Sequence, residues 1–214
     1  ATKQSVFNYD VKLVNPKFTL TSDTLRYNTA SKIANIVGPS NIEGDNNHIY
    51  SELGFYNTQI GQAELLNRSV LTNEGKQLVG DSLFYDRNKS FGEAFDNVVF
   101  TDTINKNQLT GNYCYYNEQT KYAIATDSAM VVDYSQGDSL FLHGDTLQLL
   151  TFFLDTDSMY RETRAYHKVR FFRTDIQGVC DSLVFSQKDT CLTMYRDPIL
   201  WNGNQQLLGE EVMI

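Results

Sequence analysis

The stretch Gly80–Lys89, GDSLFYDRNK, reads as a β-strand running into a polar turn, and much the same text returns along the chain. It reappears as SDTLRYNTASK from 22, SELGFYNTQ from 51, GNYCYYNEQTK from 111, GDTLQLL from 144, GVCDSLVFSQKD from 178 and GEEVMI from 209. The unit starts are 29, 29, 31, 33, 34 and 31 residues apart. A period near 30 residues is the mark of a repeat array. It constrains the fold more than any other feature, because one such unit cannot hide its own apolar face and has to stack on its neighbours.

Each unit reads as one hairpin, two strands of seven to ten residues. Asp23, Asp81, Asp145 and Asp181 stand near the unit starts, where they read as turn formers. Leu25, Leu83, Leu147 and Leu183 follow two residues later, and Tyr27, Tyr56, Tyr85 and Tyr116 precede the turn. Second strands such as QIGQAELLNRSVL, SFGEAFDNVVFTD and KYAIATDSAMVVD come after it. Alternate residues of a strand share a face, so Leu83 pairs with Tyr85, Leu25 with Tyr27 and Leu183 with Phe185. The position between them is Arg26, Phe55, Phe84, Tyr115 or Val184; it tolerates an arginine and reads as the outer face. In the second strands Gly92, Ala94, Val98 and Phe100 form one alternating set, matched by Ala123, Ala125, Ala129 and Val131. The inward face is therefore large and apolar in one strand, small and apolar in the other.

These features predict an all-β protein, an elongated, slit-open β-jelly-roll of about six stacked hairpins, with two antiparallel sheets whose apolar faces look at each other across a channel. The whole of 1–214 reads as one repeat-built domain with a seventh unit begun at 209. The segment 150–176 reads as strand, a turn at Asp155–Ser158, and strand. An ending inside a strand suggests part of a longer protein whose last edge is open to pairing.

Composition agrees with β structure: 13 Tyr, 13 Phe and only 3 Pro in 214 residues. A formal charge of −8 argues against nucleic acid, which needs a basic face. No run of 18 apolar residues offers a membrane-spanning helix, and ATKQSVFNYD has neither the charged nor the apolar region of an export signal, so such a signal is absent or removed. His48, His143 and His167 lack metal-ligand spacing and no nucleotide or hydrolase signature occurs, so no metal, no cofactor and no catalytic residue is expected. Cys114, Cys180 and Cys191 read as ordinary small residues, with Cys180 and Cys191 flanking a turn at Ser186–Asp189; whether those two are bonded stays open. Asn67-Arg68-Ser69 and Asn88-Lys89-Ser90 match the glycosylation acceptor pattern, which arises often by chance.

The units GDSLFYDRNKSFGEAFDNVVFTD and GNYCYYNEQTKYAIATDSAMVVD, with TMYRDPILWNGNQQLLGEEV at 193–212, resemble the OstA-like repeats of lipopolysaccharide-transport proteins, the periplasmic bridge protein and the N-terminal domain of the outer-membrane translocon. The resemblance covers roughly residues 20 to 214. It implies a non-enzymatic carrier in the periplasm of a Gram-negative bacterium that shields the acyl chains of lipid A in an apolar groove, at about 0.8 kcal/mol for each CH₂ kept from water. On this reading Leu25, Tyr27, Ile36, Tyr56, Leu65, Leu83, Tyr85, Val98, Phe100, Tyr116, Val131, Leu147, Leu149, Phe171, Leu183 and Phe185 line the groove. It further implies partners among the other transport proteins, joined by edge-strand addition, and head-to-tail self-association. Arg161, Arg164, Lys168, Arg170 and Arg173 form a basic cluster. Strand parity groups Arg173 with Phe171, so Arg173 is the candidate for lipid head-group contact at the groove's rim. The alternative is a structural β-repeat scaffold or adhesin with a dry core.

Overall fold

The structure, a computed structural model, describes residues 3–16, 18–44, 47–135 and 137–214. The chain is all-β and divides into two compact units, Ala1–Ile104 and Asn105–Ile214. The first holds β1 (Gln4–Asn15), β2 (Phe18–Asn28), β3 (Ile33–Gly44), β4 (Asn47–Asn57), β5 (Gln62–Asn73), β6 (Lys76–Asp86) and β7 (Phe91–Asp102), each antiparallel to the next. The second holds β8 (Asn107–Asn117), β9 (Tyr122–Asp133), β10 (Leu140–Phe152), β11 (Tyr160–Phe172), β12 (Ile176–Ser186), β13 (Cys191–Tyr195), β14 (Ile199–Asn202), β15 (Gln205–Leu208) and β16 (Glu211–Met213). Its strands β8 to β12 again pair in chain order; β12 then pairs with β13 along one half and with β14 along the other. Within each unit the strands make one continuous open sheet, where the sequence suggested two facing ones.

The hairpin turns follow from their first residues. Asn28 accepts from the amides of Ala30 and Ser31, Asn57 from those of Gln59 and Ile60, and Asn117 from those of Gln119 and Thr120, at 2.9–3.3 Å. An Asx side chain so placed mimics a backbone turn.

Most strands are 11 to 13 residues long, longer than expected, because the repeat text begins in mid-strand. Ser22, Ser51, Gly80, Gly111 and Gly144 do not open the even-numbered strands; they stand at or beside breaks in register inside them, and in β12 the break follows Cys180, two residues beyond Gly178. Opposite each break the odd-numbered strand carries residues with left-handed backbone. These are Tyr9 and Asp10, Gly38, Asn67 and Arg68, Asp96 and Asn97, Asp127 and Ser128, His167 and Lys168, and, between β13 and β14, Arg196 and Asp197. Such conformations cost an ordinary residue about 1–2 kcal/mol and mark β-bulges that bend a strand sharply. Asp81 accordingly is no turn former. It spans the bulges of its two neighbours, taking hydrogen bonds from Arg68 at 3.0 Å and Asn97 at 2.7 Å.

In β2 to β5 the inside of the corner is lined by serines. Ser22, Ser40, Ser51 and Ser69 are all buried there, with Ser40 Oγ donating to Ser22 Oγ at 2.7 Å and Ser69 Oγ to Ser51 Oγ at 2.9 Å. Each hydroxyl has one proton, and Ser22 and Ser51, which accept in these pairs, give theirs to the carbonyls of Thr24 and Leu53.

One contact proves how far the first unit folds back. Through Ala34, Tyr56 is level with Tyr27, nine residues beyond Phe18 on β2. In a flat sheet that separates Phe18 from Tyr56 by about 30 Å along the strand direction, yet their rings meet edge-on with centroids 5.4 Å apart. The two arms of the bent sheet thus face each other, and the core lies between them.

Candidate functional site

The inner face is built of rows that cross the strands in register. Next to the corner runs a deep row, Leu25, Ile36, Gly54, Leu65, Leu83 and Ala94 in the first unit, all buried. Its counterpart in the second is Cys114, Ala125, Leu147, Ala165, Leu183 and Met194. One step further out the first unit has Tyr27, Ala34, Tyr56, Ala63, Tyr85 and Gly92, a strict alternation of tyrosine with a small residue. In the second unit the same row includes Tyr116, Leu149 and Phe185.

The opposite arm is aliphatic. Leu20, Ile42, Ile49, Leu71, Leu78 and Phe100 cross it in the first unit, and Leu109, Val131, Leu142, Phe171, Gly178 and Leu200 in the second. Reading the repeats from residues 22, 80, 111 and 144 cut this arm off the even-numbered strands. The signal lay two residues upstream of each start, where Leu20, Leu78, Leu109 and Leu142 hold the same parity.

All sixteen candidate groove residues fall in these rows or, for Val98, at the corner. Burial then separates them. Leu25, Ile36, Leu65, Leu83, Val98, Leu147 and Leu183 are under 5 % exposed, and Phe171 is buried as well. Tyr27, Tyr56, Tyr85, Phe100, Val131, Leu149 and Phe185 are half-buried, and Tyr116 is exposed. The inner face is therefore tight at the corner and loosens toward the strand ends.

The basic cluster does not act as one surface. Arg164 is bound to Glu162 at 2.6 Å and Lys168, a bulge residue, lies 3.4 Å from Asp145. Arg173 is beyond the end of β11, in the turn, where its Nε donates to Asp175 at 2.5 Å and its Nη2 at 2.9 Å; strand parity does not govern it. Arg161 and Arg170 are exposed. The three cysteines are free, so Cys180 and Cys191 are not bonded. Burial pushes the Cys114 thiol up to about 12 and the Cys180 thiol up to about 11. Among the described residues no group of His, Cys, Asp and Glu is placed to hold a metal ion.

Residues 38–134 match the family model described as OstA-like protein. No curated protein matches the chain. Among solved structures the chain is similar to LptH, described as the LptA homologous periplasmic component of the conserved lipopolysaccharide transport device from Pseudomonas aeruginosa. The two are 14 % identical with a TM-score of 0.46, over 65 % of this chain and 93 % of that one. The resemblance read from the repeats is thus met by an OstA-like match from Gly38 to Tyr134, the stretch that carries three of the tyrosine and small-residue hairpins.

Proposed function

We propose that the chain is a non-enzymatic component of lipopolysaccharide transport in the periplasm, holding acyl chains between the two arms of its bent sheet. The observation that carries this reading is the apolar inner face, continuous across the strands of each unit and progressively less buried from the corner to the strand ends. A lipid can enter such a face from the open side, and a row of repeated units offers it equivalent positions, so sliding along the row costs little at each step. The OstA-like match over 38–134 supports the same reading. Arg173 would take a lipid phosphate by exchanging it for Asp175, as guanidinium groups bind either oxyanion in the same forked geometry. β1 pairs with β2 alone among the described residues, and its free edge suits strand addition by another transport protein or a second copy.

Photo-crosslinking with lipopolysaccharide tests the proposal. Reactive groups at Tyr85, Phe100, Tyr116 and Val131 should capture the lipid, and groups at Phe84, Arg87 and Glu93 should not. Equal capture by both sets would overturn it. The closed corner favours a second reading, a β-repeat scaffold with a dry core: Leu25, Ile36 and Leu65 are at most 2 % exposed. Capture at neither set, with an unchanged fold, is the outcome that reading requires.

A further inference from the structure

In the second unit the inner row of the aliphatic arm changes character along its length. Leu109, Val131 and Leu142, on β8 to β10, are half-buried, as the same row of the first unit is from Ile42 to Phe100. The next three positions, Phe171, Gly178 and Leu200 on β11, β12 and β14, are buried, Phe171 at 7 % and Leu200 at 1 % exposure. Leu207 then ends the row on β15 at 46 %. Burial therefore peaks between two accessible stretches of one apolar row.

A notch in the sheet accounts for the peak. A Cβ on Gly178 would lie 2.5 Å from Phe171 Cζ and 3.0 Å from Met194 Cε. Phe171 stands beside Gly178 on the aliphatic arm, whereas Met194, wholly buried, belongs to the deep row of the other arm. Side chains of both arms thus meet over Gly178, and close packing leaves no layer of space between them for an acyl chain. Gly92, on the inner face of β7, is the contrast. A Cβ there would meet only the Phe84 carbonyl oxygen at 3.5 Å and Tyr85 at 3.7 Å, both on the neighbouring strand, and nothing from the opposite arm within 4 Å.

We propose that Phe171, seated in the Gly178 notch against Met194, is a stop within the inner face of the second unit: acyl chains lie over β8 to β10 and do not pass to β14 and β15. The inference rests on the lipid-carrying reading and sets a limit to it. An aromatic ring suits the role because it is rigid, and the unbranched thioether of Met194 moulds itself to whatever gap the ring leaves. The glycine supplies the room in which the ring lies down. A chain that reaches β10 leaves through the open side of the bent sheet, not along the row.

Photo-crosslinking of the full chain with lipopolysaccharide tests it. Reactive groups go at Val131, before the stop, and at Leu207, past it; both belong to the inner row and neither is fully buried. The parent should be captured at Val131 and only at background level at Leu207. Phe171→Ala should raise capture at Leu207 by about fourfold or more, the gain from one further methylene kept from water. Equal capture at the two positions in the parent overturns the stop and leaves the carrying reading standing, whereas capture at neither overturns both. A folded Phe171→Ala chain without the gain at Leu207 also overturns the stop. Should that variant not fold, Phe171→Leu, which keeps an apolar side chain of shorter reach, reads the same gain, and its absence there is equally fatal to the proposal.

Discussion

The carboxylate of Asp81 accepts a 2.7 Å hydrogen bond from Nδ2 of Asn97, a bulge residue held at φ 50° on the neighbouring strand. Asn is among the residues that tolerate this conformation best, and its amide helps hold the corner closed. Asn97→Gly should be close to neutral, since relief of backbone strain offsets the lost bond. Asn97→Ala loses the bond and keeps the strain, and should lower stability by about 1–3 kcal/mol in urea unfolding. Equal effects of the two changes would show that the bulge tolerates any residue.

Acid should loosen the corners. Hydrogen bonds from Asn97 and then Arg68 hold Asp81 below the usual carboxylate range, and those from His167 and then Ser182 do the same for Asp181. Asp86 is lowered chiefly by Gln62. Groups with depressed folded-state values contribute stability that is fully present above the unfolded value, about 3.9, and lost as pH falls through the folded one. The melting temperature should be flat from pH 7 to about pH 5 and fall steeply below about pH 4. Asp81→Asn should flatten part of that fall; an unchanged profile would remove Asp81 from its cause.

Gly178 is required by its neighbours, not by its backbone angles. A Cβ there would lie 2.4 Å from Phe171 Cε1 and 3.0 Å from Met194 Cε. Gly178→Ala should cost about 1–3 kcal/mol by overpacking, and Phe171→Leu in the same chain should recover part of it. Additive losses in that double variant would place the strain elsewhere.

Thiol labelling should follow burial. At pH 8 an alkylating reagent should modify Cys191, which is half-buried, well before Cys114 and Cys180, whose raised values leave almost no thiolate. Mass spectrometry of the first labelled peptide decides it, and early labelling of Cys114 would mean that the deep row opens readily in solution.

The sequence by itself determined where the turns at Asn28, Asn57 and Asn117 lie and which side chains next to them face inward, because these depend on nearest neighbours and a period of two. Only the tertiary structure decided that the long strands bend, and the reason is arithmetic. On the odd-numbered strands the inward residues resume after four positions, as from Ala94 to Val98 or Ala125 to Ala129, so the bulge keeps the even count and the alternation runs through the corner unbroken. On the even-numbered strands they resume after three, as from Ser22 to Leu25 or Gly80 to Leu83, so the parity flips and the text looks as though a unit starts there. The corner dipeptides, Asn67-Arg68, Asp96-Asn97 and Asp127-Ser128, are ordinary polar residues in sequence. What makes them a bend is the face they would otherwise leave in water, which the strand can bury only by folding its two arms together, as Phe18 and Tyr56 do.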